Sequence, residues 1–240
     1  MTSFKPLALL LTASLALAGP ALAGELQVWE PEPTVETGNA GLYLGLIGGY
    51  ALMTGNLGNI DAVPLGSPTE ISLEGYSLGL QSGGEAHVNS HIVVGVSGDV
   101  SWTNISGKSC VEQTDPDCSE ADPDHSYLEA RIDWLATLRA RVGVDLGSAL
   151  VYATAGVAAG HVAATITNAI DSTDLDGAAM HYGYAAGLGA RVKLADNLSA
   201  GLEYLYLDLG SADYSFNVLD DVGQASITAN TVRGSLNLQF

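Results

Sequence analysis

The chain is short of several things, and each shortage removes a class of explanation. It has 8 basic residues against 27 acidic ones among 240. It therefore has no basic stripe of the kind that nucleic acid requires. It has two cysteines, Cys110 and Cys118, too few and too close together for a zinc site or a disulfide framework spread over the chain. Its five histidines are scattered, without metal-ligand spacing. No glycine-rich turn stands between a strand and a helix, so nothing cradles a phosphate. The N-terminal apolar run from Leu7 to Ala18 is too short to cross a bilayer as a helix.

What that run does have is company. Lys5 precedes it and Ala21-Leu22-Ala23 follows it, the three-part pattern of a secretory signal peptide. Residues 1–23 are expected to be removed on export. No cysteine follows the cleavage site, which argues against a lipoprotein anchor. Removing Lys5 leaves seven basic and 27 acidic residues, a net charge of −20. Yet 47% of the residues are hydrophobic, which is not the composition of a disordered acidic chain. Charge and apolar surface must be segregated along the sequence.

Residues 24–40 carry Glu and Pro with little periodicity and read as a periplasmic leader. From Gly41 to Phe240 the pattern changes to stretches of alternating polarity, punctuated by Gly, Asn, Asp, Ser and Pro. Eight such segments stand out: Gly41–Met53, Glu70–Gly83, His91–Thr103, Tyr127–Val144, Ala149–Ala164, Met180–Leu194, Leu198–Leu209 and Ile227–Phe240. Long polar connections (54–69, 104–126, 168–179, 211–226) alternate with short ones (84–90, 145–148, 195–197). This is the arrangement of an all-β, eight-stranded, antiparallel up-and-down transmembrane β-barrel, with long loops outside and tight turns in the periplasm. The expected location is the bacterial outer membrane.

Successive side chains on a strand point to opposite faces. In the fourth segment one face carries Glu129, Arg131, Asp133, Thr137, Arg139 and Arg141, and the other Leu128, Ile132, Trp134, Leu138, Val142 and Val144. We assign the apolar face to lipid, with Trp102, Tyr182, Tyr184, Tyr204 and Tyr206 suited to the interfacial girdles. The charged face then lines the lumen, where glycines such as Gly183, Gly187 and Gly189 save space. All five arginines, Arg131, Arg139, Arg141, Arg191 and Arg233, fall on this register with Asp99, Glu129, Asp133 and Glu203. An eight-stranded barrel is just wide enough to be filled by side chains. The nine charges are therefore expected to form an ion-pair core that plugs the lumen. The alternative is a charged constriction in a narrow channel for small solutes or ions.

Cys110 and Cys118 are expected to close a loop as a disulfide, because exported proteins meet an oxidising compartment. Around them Asp115, Asp117, Glu120, Asp122 and Asp124 form an acidic cluster that oxygen-binding Ca²⁺ could use. The spacing is not that of an EF-hand, and a solvated surface explains it as well. His125, Ser126 and Glu129 at a strand mouth raise the possibility of a rim hydrolase, but adjacency in sequence does not supply a triad's geometry. No catalytic residue, resident metal or cofactor is expected; a loop-based haem or ligand binder is a further alternative.

The stretches "DWLATLRARVG" (Asp133–Gly143), "VYATAGVAAG" (Val151–Gly160), "LSAGLEYLYLDLG" (Leu198–Gly210) and "TVRGSLNLQF" (Thr231–Phe240) resemble the small outer-membrane β-barrel proteins of alphaproteobacteria, often labelled porin-family proteins. The OmpA transmembrane barrel is a more distant likeness. The resemblance implies that Glu203 points inward and Tyr204 and Tyr206 outward in a Glu-Tyr-x-Tyr strand. It also implies that Phe240 is a C-terminal signal to the barrel-assembly machinery. Partners would be outer-membrane lipid and lipopolysaccharide, with no nucleic acid, and the protein would be a monomer. The cysteine-containing acidic loop departs from the family pattern.

Overall fold

A computed structural model describes residues 41–57, 69–110, 127–168, 173–215 and 222–240. Eight strands occupy them: β1 Gly41–Leu57, β2 Thr69–His87, β3 Ile92–Cys110, β4 Tyr127–Asp145, β5 Ala149–Asn168, β6 Thr173–Ala195, β7 Leu198–Ser215 and β8 Val222–Gln239. Each pairs antiparallel with its sequence neighbour, and β1 pairs with β8, so the sheet closes on itself in the order β1 to β8. Closure removes every edge strand, which lets a sheet cross a membrane without unpaired backbone groups.

All eight expected strands are present, but most run further than the alternation suggested. The strands hold 17 to 23 residues, whereas about 9–11 tilted residues cross the hydrocarbon. The surplus lies at the end opposite the tight turns. There β6 begins at Thr173 rather than Met180, and β3 continues to Cys110. The reason is visible in the side chains. Above the membrane the alternation persists with its sense inverted, so it no longer looks like a lipid-facing strand.

The tight turns are built by side chains that hold the backbone. Asn89 Oδ1 accepts from the N–H of His91 (2.9 Å) and of Ile92 (2.8 Å) between β2 and β3. Asp145 Oδ1 accepts from Gly147 N–H at 2.7 Å between β4 and β5, and Gly147 sits at φ +89°, where a Cβ would be strained. At the seam, Phe240 N–H donates to Leu42 C=O at 2.9 Å.

Outward side chains over the lower part of the barrel are apolar, among them Leu44, Leu78, Val96, Leu138, Val157 and Leu236. Tyr50, Tyr76, Trp102, Trp134, Tyr184 and Tyr206 ring the top of this band on six of the strands. Above that ring the outward residues turn polar, as with Glu70, Ser72, Asn104, Lys108, Asp176 and Gln224. The inward residues turn apolar at the same height: Met53, Ile71, Leu73, Ile105, Leu128, Ile132, Leu207 and Ile227 join one buried cluster. The barrel is thus inside-out within the membrane and right-side-out above it.

Two irregularities let single strands follow that inversion. In β4 the register against β5 shifts between Ile132 and Trp134, leaving Asp133 as the extra residue. In β7 the register against β8 shifts between Asp208 and Ser211, with Gly210 at φ +63°. An inserted residue exchanges the two faces of everything beyond it.

Candidate functional site

The lumen has two layers. In the lower one, four arginines face three carboxylates. Arg139 reaches Asp99 Oδ2 through Nη2 (2.8 Å) and Glu203 Oε1 through Nη1 (2.8 Å), and its side chain is 0% exposed. Arg233 spans the same two acids, Nη1 to Asp99 Oδ1 at 2.9 Å and Nη2 to Glu203 Oε1 at 2.6 Å. Thr137 Oγ1 donates to Asp99 Oδ2 at 2.6 Å and accepts from Arg139 Nε at 2.8 Å. Nearer the tight turns, Glu85 takes Arg141 Nη1 at 2.8 Å and Arg191 through both terminal nitrogens. Arg141 also lies over the Tyr152 ring, 4.0 Å from its centroid.

The planar guanidinium supplies several donors in fixed directions, so each arginine can tie two carboxylates from strands on opposite sides of the barrel. A buried charge without a partner is strongly destabilising. Here every charge in the layer has at least one opposite partner. The result is a cross-braced closure, with Gln81 Nε2 donating to Asn237 Oδ1 beside it.

Above the charges, the apolar cluster fills the bore. Ile105, Ile132, Leu205 and Leu209 are completely buried in it. His181 is also fully buried at this height, with Nε2 2.8 Å from Tyr214 Oη. Below the charges, a vestibule of about 620 Å³ opens at the tight-turn end, lined by Tyr43, Glu85, His87, Asp145, Arg191 and Lys193 among others. Asp145, the last residue of β4, lies at the vestibule mouth and accepts a hydrogen bond from the His87 ring at 3.0 Å and another from Gly147 N–H.

Of the nine residues expected in the lumen core, the structure brings together Asp99, Arg139, Arg141, Arg191, Glu203 and Arg233. It places the other three elsewhere. Glu129, Arg131 and Asp133 are on the outer wall above the aromatic ring, and the Arg131 side chain is 62% exposed. The Asp133 bulge is the cause: strict alternation carried the lumen register straight through Tyr127–Asp145, whereas the extra residue turns Leu128, Ala130 and Ile132 inward instead. The displaced charges pair on the surface. Lys108 Nζ meets Glu129 Oε2 at 3.1 Å, Arg131 Nε meets Asp133 Oδ1 at 3.0 Å, and His161 Nδ1 lies 2.8 Å from Asp133 Oδ2.

Glu85 is the core residue that sequence reasoning missed, because 84–90 reads as a turn. Continuing the inward register of β2 from Gln81 by steps of two does reach it. The apolar plug was missed for a different reason, since apolar residues were all assigned to lipid. Cys118, the acidic residues Asp115, Asp117, Glu120, Asp122 and Asp124, His125, Ser126 and residues 1–40 lie outside the described residues. Among the described residues, no three His, Cys, Asp or Glu side chains are gathered as metal ligands. His87, His161 and His181 each sit in a separate pairing.

Comparison with known proteins agrees with this architecture. The chain is 27% identical to the 31 kDa outer-membrane immunogenic protein of Brucella melitensis over 95% of its own length and 98% of that protein. It is 27% identical to the 25 kDa outer-membrane immunogenic protein of Brucella abortus, over 100% of this chain and 95% of the relative. A 22 kDa outer membrane protein of Rhizobium leguminosarum is 32% identical over 44% of this chain and 47% of its own. The family model for the outer membrane protein beta-barrel domain matches residues 8–240. With a closed eight-stranded barrel, an apolar belt and a match over nearly its whole length, the chain belongs to the outer membrane protein beta-barrel domain family.

Proposed function

We propose that this protein is a plugged outer-membrane barrel with a structural and surface-presenting role, and that it conducts neither ions nor solutes. The observation that carries the reading is the two-layer filling of the bore. Solute passing between the vestibule and the outer face would have to break the Arg139–Asp99–Arg233–Glu203 braces and then displace the apolar cluster above them. Neither layer offers a wetted path, and an apolar filling excludes water where an ion would need it.

The relatives are named for their place in the outer membrane and for immunogenicity, which suits a protein whose exposed end is its working surface. On this reading residues 1–23 are removed on export, residues 24–40 stay in the periplasm, and Cys110 and Cys118 close an outer loop. Phe240, 80% exposed at the end of β8, is the residue offered to the assembly machinery. The protein acts as a monomer embedded in lipid and lipopolysaccharide, and it catalyses no reaction.

The test is conductance in planar bilayers. The intact protein is expected to be silent, and Arg139→Met is expected to leave it silent, because the apolar layer still closes the bore. Steady unitary currents from the unaltered protein would overturn the proposal. They would favour the narrow channel instead, for which the vestibule at the turn end is the supporting feature.

A further inference from the structure

The eight seams of the barrel are not equally closed. Six of the backbone ladders run to the outer end of a strand, as at Leu57–Thr69 between β1 and β2 and Asn168–Thr173 between β5 and β6. Among the described residues the other two stop short. The β2–β3 ladder ends at Glu74–Ser106, and the β6–β7 ladder ends at Tyr184–Asp208, although β6 continues to Thr173 and β7 to Ser215. Near each break a side chain takes a backbone donor. Tyr76 N–H donates to Asn104 Oδ1 at 2.7 Å, and Gly210 N–H donates to Asp208 Oδ1 at 2.9 Å.

The two breaks lie four strands apart in either direction around the barrel. Above them the wall is therefore two four-stranded sheets facing one another. One runs from β3 to β6, and the other from β7 through β8 and β1 to β2. Both feed the apolar cluster, Ile105, Ile132 and Val162 from the first and Met53, Leu73 and Ile227 from the second. No outer connection joins the sheets, because β2–β3 and β6–β7 are linked at the tight-turn end. The sheets are jaws, held below by complete ladders and joined above only through what lies between them.

At the β6–β7 break the hydrocarbon between the jaws is interrupted. His181 of β6 is completely buried, Tyr214 of β7 is buried beside it, and Nε2 lies 2.8 Å from Oη with the ring centroids 5.7 Å apart. This contact crosses the seam just above the last backbone pair. Polar groups are tolerated in such a layer when they satisfy one another. An apolar pair of the same shape would close the seam at least as firmly. What the polar pair adds is reversibility, since water accepts both groups once they part.

We propose that the outer part of the barrel opens along the β6–β7 seam, and that the His181–Tyr214 contact is the clasp that keeps it shut. Opening bares the apolar layer to the outer side and leaves the arginine–carboxylate layer below it intact. The inference rests on the proposed function only for the apolar layer's place at the outer end. The ion-pair layer closes the bore in both states, so the bilayer measurement and the one below fail independently.

The test uses Ala179 and Ala185, which face the bore from β6. The first lies above the last β6–β7 pair and packs against the apolar cluster, and the second lies below that pair and is buried. Each is replaced by cysteine in turn (A179C, A185C) in full-length protein whose own cysteines are changed to serine (C110S/C118S). The protein is folded in detergent micelles, its reaction with a water-soluble maleimide is timed, and folding is checked by the migration of unboiled samples. Y214F leaves His181 without the hydroxyl. It is expected to speed labelling at A179C about tenfold, the scale of one lost buried hydrogen bond, and to leave A185C unchanged. H181L/Y214F removes both polar groups and is expected to return A179C to the slow rate. H181L alone breaks the same bond from the other strand and is expected to act as Y214F does, which keeps a folded comparison if Y214F fails to assemble. An unaltered A179C rate in the folded single variants, equal acceleration at A185C, or a double variant as fast as the single ones would overturn the proposal.

Discussion

Replacing Arg139 by methionine tests whether the braced layer holds the barrel together. The substitution keeps an unbranched side chain of similar length, so packing loss is small. It removes one of the two guanidinium partners of Asp99 and one of the three of Glu203, with both carboxylates left where solvent does not reach. Removing one member of a buried pair costs about 3–5 kcal/mol in general. Here Arg233 still holds both acids, Thr137 still donates to Asp99, and Arg141 lies 3.8 Å from Glu203. The expected loss is therefore near the lower end, about 3 kcal/mol. Adding Asp99→Asn leaves Arg233 facing Glu203 at 2.6 Å as a matched pair, and should recover about half of the loss on the same reasoning. The assay is urea unfolding in phospholipid vesicles followed by tryptophan emission, since Trp102 and Trp134 sit at the membrane margin. A loss below about 1 kcal/mol, the scale of an exposed pair, would refute the claim that this layer is a buried brace. So would a double variant weaker than the single one.

Other outcomes follow from the same geometry. Arg131→Ala should cost less than about 1 kcal/mol in that assay, because the pair it breaks is on the outer wall; a loss like that of Arg139→Met would return Arg131 to the lumen. Deleting Asp133 removes the extra residue and puts Ile132 two positions from Leu135, so plain alternation keeps Leu128 and Ile132 inward and Glu129 and Arg131 outward. Heat-modifiable migration should then be kept, and its loss would show that the bulge itself is required. Gly189→Leu should be poorly tolerated, since a Cβ there would sit 2.4 Å from the Tyr152 ring that stacks on Arg141; unchanged urea resistance would contradict that packing.

Much of the molecule was legible in one dimension because its determinants are local. Polarity alternating by single residues marks a strand, and Asn89, Asp145 and Gly147 mark turns through contacts two or three residues long. Chain order also sufficed for topology, since each strand pairs with its neighbour and only the β1–β8 seam is distant. The inward register through Asp99, Arg139, Arg141, Arg191, Glu203 and Arg233 could likewise be read strand by strand. What alternation could not reveal is where its meaning changes. Leu128 and Ile132 look like lipid-facing residues until the Asp133 bulge exchanges the two faces, and a bulge leaves no periodic trace. Which apolar face meets lipid and which meets the bore depends on height relative to the membrane, a property of all eight strands assembled. Tertiary structure alone decided that Glu85 would brace Arg141 and Arg191, and that the upper bore would be filled by hydrocarbon, because both depend on residues far apart in the chain meeting across a closed barrel.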